Sequence, residues 1–160
     1  QMPIISEKFG SYIDFANANI EQILGAENVK NALLFEANEF KHTIFHNDNG
    51  IYKTATYLPT LSQVAPLRSM VFTDLNNDNI SDFVSVGNLK DTEVETTAYD
   101  AGIGFCALKI NNKLQPLALN QSGFYTNGET RDIKIIELSN GKSMLIVSKY
   151  GEPMESFRIN

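Results

Sequence analysis

Between two apolar runs the chain reads Asp74-Leu75-Asn76-Asn77-Asp78-Asn79-Ile80-Ser81-Asp82, with carboxylate or amide side chains recurring at alternate positions. Oxygen donors at this spacing suit a hard cation. Ca²⁺ takes about six to eight oxygens at roughly 2.3–2.6 Å, and a tight turn can bring several side-chain oxygens and one backbone carbonyl onto a single ion. The pattern nominates Asp74, Asn76, Asp78 and Asp82 as side-chain ligands of calcium and Ile80 as the carbonyl ligand. The alternative is an Asn/Asp-rich hairpin turn without an ion, because these residues fold back onto their own backbone.

An EF-hand opens in the same way, but it needs Gly at the sixth loop position and a bidentate Glu at the twelfth. Those positions are Asn79 and Ser85. The flanks, Ser69-Met70-Val71-Phe72-Thr73 and Phe83-Val84-Ser85-Val86, are β-branched and aromatic runs of strand length. A strand-loop-strand calcium site is the expectation over residues 74–82.

Other reactive residue types carry less. His42 and His46 flank Thr43-Ile44-Phe45 in a strand-like run, without the glutamate or third ligand of a zinc site, and read as solvent-facing. The single cysteine, Cys106, lies in the apolar run Gly104-Phe105-Cys106-Ala107-Leu108 and reads as a buried structural thiol. No Gly-x-Ser-x-Gly elbow is present. The acidic stretch from Asp91 through Glu93 and Glu95 to Asp100 reads as a charged surface loop, and it is the first candidate for a ligand surface. A carboxylate pair there for glycoside chemistry is the competing use. Asn79-Ile80-Ser81 and Asn120-Gln121-Ser122 fit the glycosylation pattern, which would matter only in a eukaryotic secretory route.

With 160 residues, 42% hydrophobic and 20% charged, the chain has the size and composition of one soluble domain. A net charge of −6 without a Lys/Arg cluster argues against nucleic acid and anionic membrane surfaces as partners. No apolar run approaches the ~20 residues of a membrane span, so membrane insertion is not expected. Gln1-Met2-Pro3-Ile4-Ile5 lacks the basic start and long apolar stretch of an export signal, which implies a cytosolic chain or a signal removed or located upstream.

Residues 1–31 read as a helical lead-in, with Phe15, Ile20, Ile23 and Leu24 as apolar anchors from Tyr12 to Asn31. Gly25 is a helix stop, and Asn19 with Gln22 resembles a capping box. Residues 32–160 read as β, with runs at Leu33–Phe35, Thr43–Phe45, Tyr52–Tyr57, Met70–Thr73, Phe83–Val86, Ile103–Ile110, Leu114–Leu119, Ile133–Leu138, Met144–Ser148 and Met154–Ile159. Asn47-Asp48-Asn49-Gly50, Asn111-Asn112-Lys113, Asn140-Gly141-Lys142 and Gly151-Glu152-Pro153 punctuate them as hairpin turns. The strand, loop and strand from Ser69 are echoed about 60 residues later from Arg131 to Val147, with a shorter loop that lacks the ligands. Short strands joined by hairpins suit a sandwich, a barrel or propeller blades, and the echo favours the last, so the expected fold class is mainly β, in antiparallel four-stranded blades of a propeller.

The loop and its flanks resemble the FG-GAP or VCBS repeat, in which D-x-[DN]-x-[DN]-G-x-x-D joins the first two strands of a β-propeller blade, as in the integrin α-subunit head. Tyr12-Ile13-Asp14-Phe15-Ala16, Phe45-His46-Asn47-Asp48-Asn49-Gly50-Ile51-Tyr52, Gly87-Asn88 and Ser122-Gly123-Phe124 extend the likeness to the C-terminal region of bacterial VCBS-repeat, ASPIC/UnbV-type proteins. Asn79 stands where the family prefers Gly. The resemblance implies a partial propeller of about two to three blades, completed by further blades or by other chains. It implies a calcium-stabilised, non-enzymatic scaffold for protein or glycan ligands in a secreted or cell-envelope bacterial protein. The alternative is the terminal part of a carbohydrate-active propeller enzyme whose catalytic residues lie partly outside this chain.

Overall fold

The computed structural model describes residues 3–159, with the backbone alone at Thr54 and Ala55. Gln1 and Met2, at the start of the expected lead-in, and Asn160, at the end of the expected β region, lie outside the described residues. The chain divides into two compact units, residues 1–40 and 41–160.

In the first unit the helical lead-in consists, among the described residues, of four short pieces: α1 (Pro3–Lys8), α2 (Tyr12–Asn17), α3 (Ile20–Leu24) and α4 (Ala26–Asn31). Each is far shorter than the ~12 residues at which an isolated helix becomes marginally stable, so the caps matter. The capping box forms as expected: Gln22 N donates to Asn19 Oδ1 and Asn19 N donates to Gln22 Oε1, both at 2.8 Å. Gly25 ends α3 at φ +90°, a conformation a side chain would strain. Phe9 and Phe15 meet edge to face at 5.6 Å. Leu33, Leu34 and Phe35 form no strand and are 83%, 83% and 87% exposed. Three consecutive apolar residues specify no sheet face, and a strand needs a partner ladder to satisfy its backbone.

The second unit is mainly β. Among the described residues nine strands, β1 (Thr43–Asp48), β2 (Ile51–Tyr57), β3 (Leu67–Thr73), β4 (Asp82–Gly87), β5 (Phe105–Ile110), β6 (Lys113–Pro116), β7 (Thr130–Glu137), β8 (Ser143–Lys149) and β9 (Glu155–Arg158), form three antiparallel sheets. Their orders are β1-β2, β3-β4-β5-β6 and β7-β8-β9. The turn residues behave as their chemistry requires. Asn49 and Gly50 take φ of +51° and +87° between the paired Asp48 and Ile51, and Asn111 and Asn112 take +50° and +60° between Ile110 and Lys113. Positive φ at both central residues matches the turn to the twist of the strands. Strand ends differ from expectation in places: β5 begins at Phe105, and Leu119 falls in a short helix, α5 (Leu119–Ser122).

β4 is the axis of the core, since Asp82, Phe83, Val84, Ser85 and Val86 are all buried. Its two faces join different clusters. Val84 and Val86 pack with Cys106, Phe124 and, from β7 and β8, Ile133, Leu145 and Val147. Phe83 packs with Phe105, Ala107 and Leu58, with Ile44 of β1 against them. The four-stranded sheet is thereby covered on one face by the β7–β9 sheet and on the other by residues of and beside the β1-β2 hairpin.

Polar links fasten the sheets where β4 ends. The Asn88 side chain, 1% exposed, donates from Nδ2 to Gly102 O and Gly128 O at 2.8 Å each, and its Oδ1 accepts from Gly102 N at 2.8 Å. Its backbone N donates to Pro66 O at 2.9 Å. Beside it, a Cβ on Gly87 would lie 1.8 Å from Pro66 O, so no side chain fits. Thr130 Oγ1 donates to Gly87 O, and Ser69 Oγ to Asp132 Oδ1. The first strands of both hairpins shift register over an arginine: between Leu67 and Ser69 in β3, around Arg68, and between Thr130 and Asp132 in β7, around Arg131. Replacing Asn88 with Ala orphans Gly102 N, Gly102 O and Gly128 O in a buried setting. The expected cost is about 3 kcal/mol, read as a fall of roughly 10 °C in Tm.

Candidate calcium loop

The 74–82 segment connects β3 to β4 and folds around its own carboxylates. Asp74 Oδ1 accepts from Asn76 N at 3.1 Å and Asp78 N at 3.2 Å, and Oδ2 accepts from Asn79 N at 2.7 Å. Asn76 Oδ1 reaches the same Asp78 N at 3.2 Å, so the side chains at the first and third positions close on one point. Asp78 Oδ1 accepts from Ile80 N at 2.8 Å, and Asp78 Oδ2 from Asn76 Nδ2 at 3.0 Å. Desolvation pushes the Asp74 carboxyl up, but the amides of Asn79, Asn76, Asp78 and Asn77 outweigh it and hold the group below its ordinary value.

The backbone conformation explains the tolerance of Asn at the sixth position. Asn77 and Asn79 take φ of +62° and +64°, the left-handed region that Asn enters more readily than other side-chain-bearing residues. The loop keeps the turn that Gly would have given.

Asp82 behaves differently from the other nominated ligands. It is fully buried, with Oδ2 accepting from Leu75 N at 2.9 Å and Oδ1 from Lys109 N at 2.8 Å. Its carboxylate therefore ties the start of the loop to β5, a role the sequence did not reveal because Lys109 lies 27 residues away. Each Asp82 oxygen retains a second lone pair, as does Asp74 Oδ2. Among the described residues no three His, Cys, Asp or Glu side chains are grouped as a metal site would need. An ion here would lean on the Asn76 amide and the Ile80 carbonyl as much as on carboxylates. The donors are all oxygen, which fits a hard cation and not zinc or copper.

The remaining candidates disperse. His42 is half-buried, contrary to expectation, with Nε2 3.0 Å from Ala65 O, while His46 is exposed beside Thr56 Oγ1 at 3.3 Å. Asp91, Glu93, Glu95 and Asp100 are exposed in the connection between β4 and β5. Cys106 is buried as expected, and burial pushes its thiol up to about 12 from an ordinary 9.0. A protonated thiol is no nucleophile at neutral pH. One charged cluster escaped the sequence: Lys149, its side chain 4% exposed, lies 2.8 Å from Glu152 and 2.9 Å from Glu155. The hydrogen bond to Glu152 leads in raising its pKa, against desolvation.

No family model, curated protein or solved structure matches this chain significantly. The FG-GAP likeness rests on the residues themselves.

Asp82→Ala leaves the amides of Leu75 and Lys109 without acceptors, and the expected loss is about 2–4 kcal/mol by chemical denaturation. Asp78→Ala, in the exposed part of the loop, should cost under about 1 kcal/mol in chelator, and equal costs would contradict this division of roles. Cys106 gives a pH dependence of definite sign. Between 9.0 and about 12 the unfolded thiol ionises and the folded one does not, so its contribution is intact below 9.0 and drains as the pH rises. Cys106→Ala should flatten the fall in Tm over that alkaline range.

Proposed function

We propose that this chain is a non-enzymatic, calcium-stabilised segment of an FG-GAP/VCBS-type β-propeller, carried by a secreted or surface-attached bacterial protein as a scaffold for protein or glycan ligands. The observation that carries the reading is the position of the loop. Asp74, Asn76 and Asp78 fold inward at the connection between the first two strands of a four-stranded antiparallel sheet.

Two further features support it. The sheet of β3 to β6 is covered on both faces, as a blade between neighbours would be. The β7-β8 hairpin repeats the β3-β4 hairpin in its bulge around an arginine and in a closing bond beside it. Asn88 N donates to Pro66 O in the first, and Tyr150 N donates to Glu129 O in the second. The bond between Ser69 and Asp132, 63 residues apart, then joins equivalent positions of two successive units. Exposed Phe45, Tyr52 and Tyr57 on the hairpin at one side supply surface that further blades or ligands would cover.

In this reading calcium is structural. It offsets the mutual repulsion of Asp74, Asp78 and Asp82 and adds stability by binding only the folded loop. Millimolar calcium outside the cell fills even a weak site.

Calcium in excess of its Kd should raise the Tm, by about 2.7 kcal/mol of added stability at 100 times the Kd. Chelator should reverse the shift, and Asp78→Ala should abolish the difference between the two conditions. A melting curve indifferent to calcium and chelator removes the metal from this account.

A further inference from the structure

The sheet of β7 to β9 ends at β9 in an edge that, among the described residues, no strand covers. In the other sheet β5 holds the corresponding third place, and β6 pairs with it. The direction of the β9 backbone groups follows from one bond. Ile159 N donates to Ser143 O at 3.0 Å, and hydrogen-bonded pairs alternate along an antiparallel ladder, so Glu155, Phe157 and Ile159 turn their N–H and C=O groups to β8. Ser156 and Arg158 turn theirs outward. The β9 edge has no proline and no bulge to blunt it, whereas β6 carries Pro116.

Beside this edge opens a groove of about 480 Å³, lined by residues 156–159 and also by Leu117 and Phe124. Half-buried Leu75, Leu117, Phe157 and Ile159 pack there against the main core cluster, so the floor is apolar. Arg158 is exposed, is the single charged side chain of the lining and, among the described residues, enters no ion pair. Outward N–H and C=O groups at every second residue are complementary to another extended backbone, an apolar floor to that backbone's alternate side chains, and a free guanidinium to a carboxylate.

We propose that the β9 edge and its groove bind an extended peptide segment of another protein, added antiparallel as β6 is on β5, with apolar side chains opposite Phe157 and Ile159 and an acidic one opposite Arg158. Main-chain hydrogen bonds to Ser156 and Arg158 supply the affinity, and the alternation of side chains supplies the selectivity. Residues 155–159 offer roughly 14 Å of edge at ~3.4 Å per residue, which sets the segment at about five residues. The site rests on the sheet edge alone, and neither calcium nor the propeller reading enters it.

The probe is a capped, fluorophore-labelled peptide of sequence Val-Glu-Val-Thr-Val, which in antiparallel register sets its glutamate against Arg158 and its first two valines against Ile159 and Phe157. Fluorescence anisotropy with the whole chain should show saturable binding of one peptide per chain. N-methylation at the glutamate or at the threonine, whose N–H groups face β9, should weaken binding by about twofold to tenfold. N-methylation at the central valine, whose N–H faces away, should leave it unchanged. Exchanging the peptide's glutamate for lysine should weaken binding by about twofold to fivefold, and Arg158→Glu should restore it, with the fold retained by circular dichroism because the position is exposed. The proposal is overturned if no saturable binding occurs, if the three N-methyl peptides behave alike, or if Arg158→Glu fails to rescue the lysine peptide. It is also overturned if light scattering shows a dimer that the peptide dissociates, because a second copy then holds the edge.

Discussion

The side chain of Asn88 holds together parts of the chain that nothing local would keep in place. One carboxamide satisfies the amide and carbonyl of Gly102 and the carbonyl of Gly128, while its own backbone is fastened to Pro66. Those partners come from the approach to β3, the approach to β5 and the approach to β7. Position 88 takes φ +86°, so the chain turns there in a conformation that Asn tolerates, and a Cβ at Gly102 would come within 2.6 Å of Asn88 Oδ1. Hydrophobic contacts could tolerate small shifts between the sheets. These directional bonds fix the sheet ends relative to each other.

Asp82 does related work at the other end of β4. Its two oxygens join the start of the connecting loop to β5, so the buried strand is clamped by an amide side chain at one end and a carboxylate at the other. Between the clamps, Val84 and Val86 face one core cluster and Phe83 the other. The loop that could hold a cation is thus attached to the most buried strand of the unit, and order in the loop and order in the core are linked through Asp82.

Much of this was legible in the residues, for identifiable reasons. Asn49-Gly50 and Asn111-Asn112 announced hairpins because few other pairs accept positive φ twice. Asn19 and Gln22 announced a cap because the bonds span only three residues. What stayed hidden depends on distance along the chain. The buried role of Asp82 requires Lys109, the enclosure of His42 requires Ala65, and the hub at Asn88 requires Gly128. Leu33-Leu34-Phe35 misled because an apolar run signals burial without naming a partner, and here it stays irregular and exposed. Asp82 fits the calcium pattern and the clamp equally well, since both need an oxygen pair at the foot of a strand.

The tight turns have a kinetic consequence. Hairpins closed by two residues form in about 1–10 μs, because little loop entropy is lost before the ladder gains its bonds. β1-β2 and β5-β6 belong to that class. The bonds from Ser69 to Asp132 and from Asn88 to Gly128 close 63 and 40 residues of chain and come at a much higher entropic cost. Folding of this unit is therefore expected to be hierarchical, with ready-made hairpins waiting on a slow docking step, and the barrier sits at the assembly of the sheets.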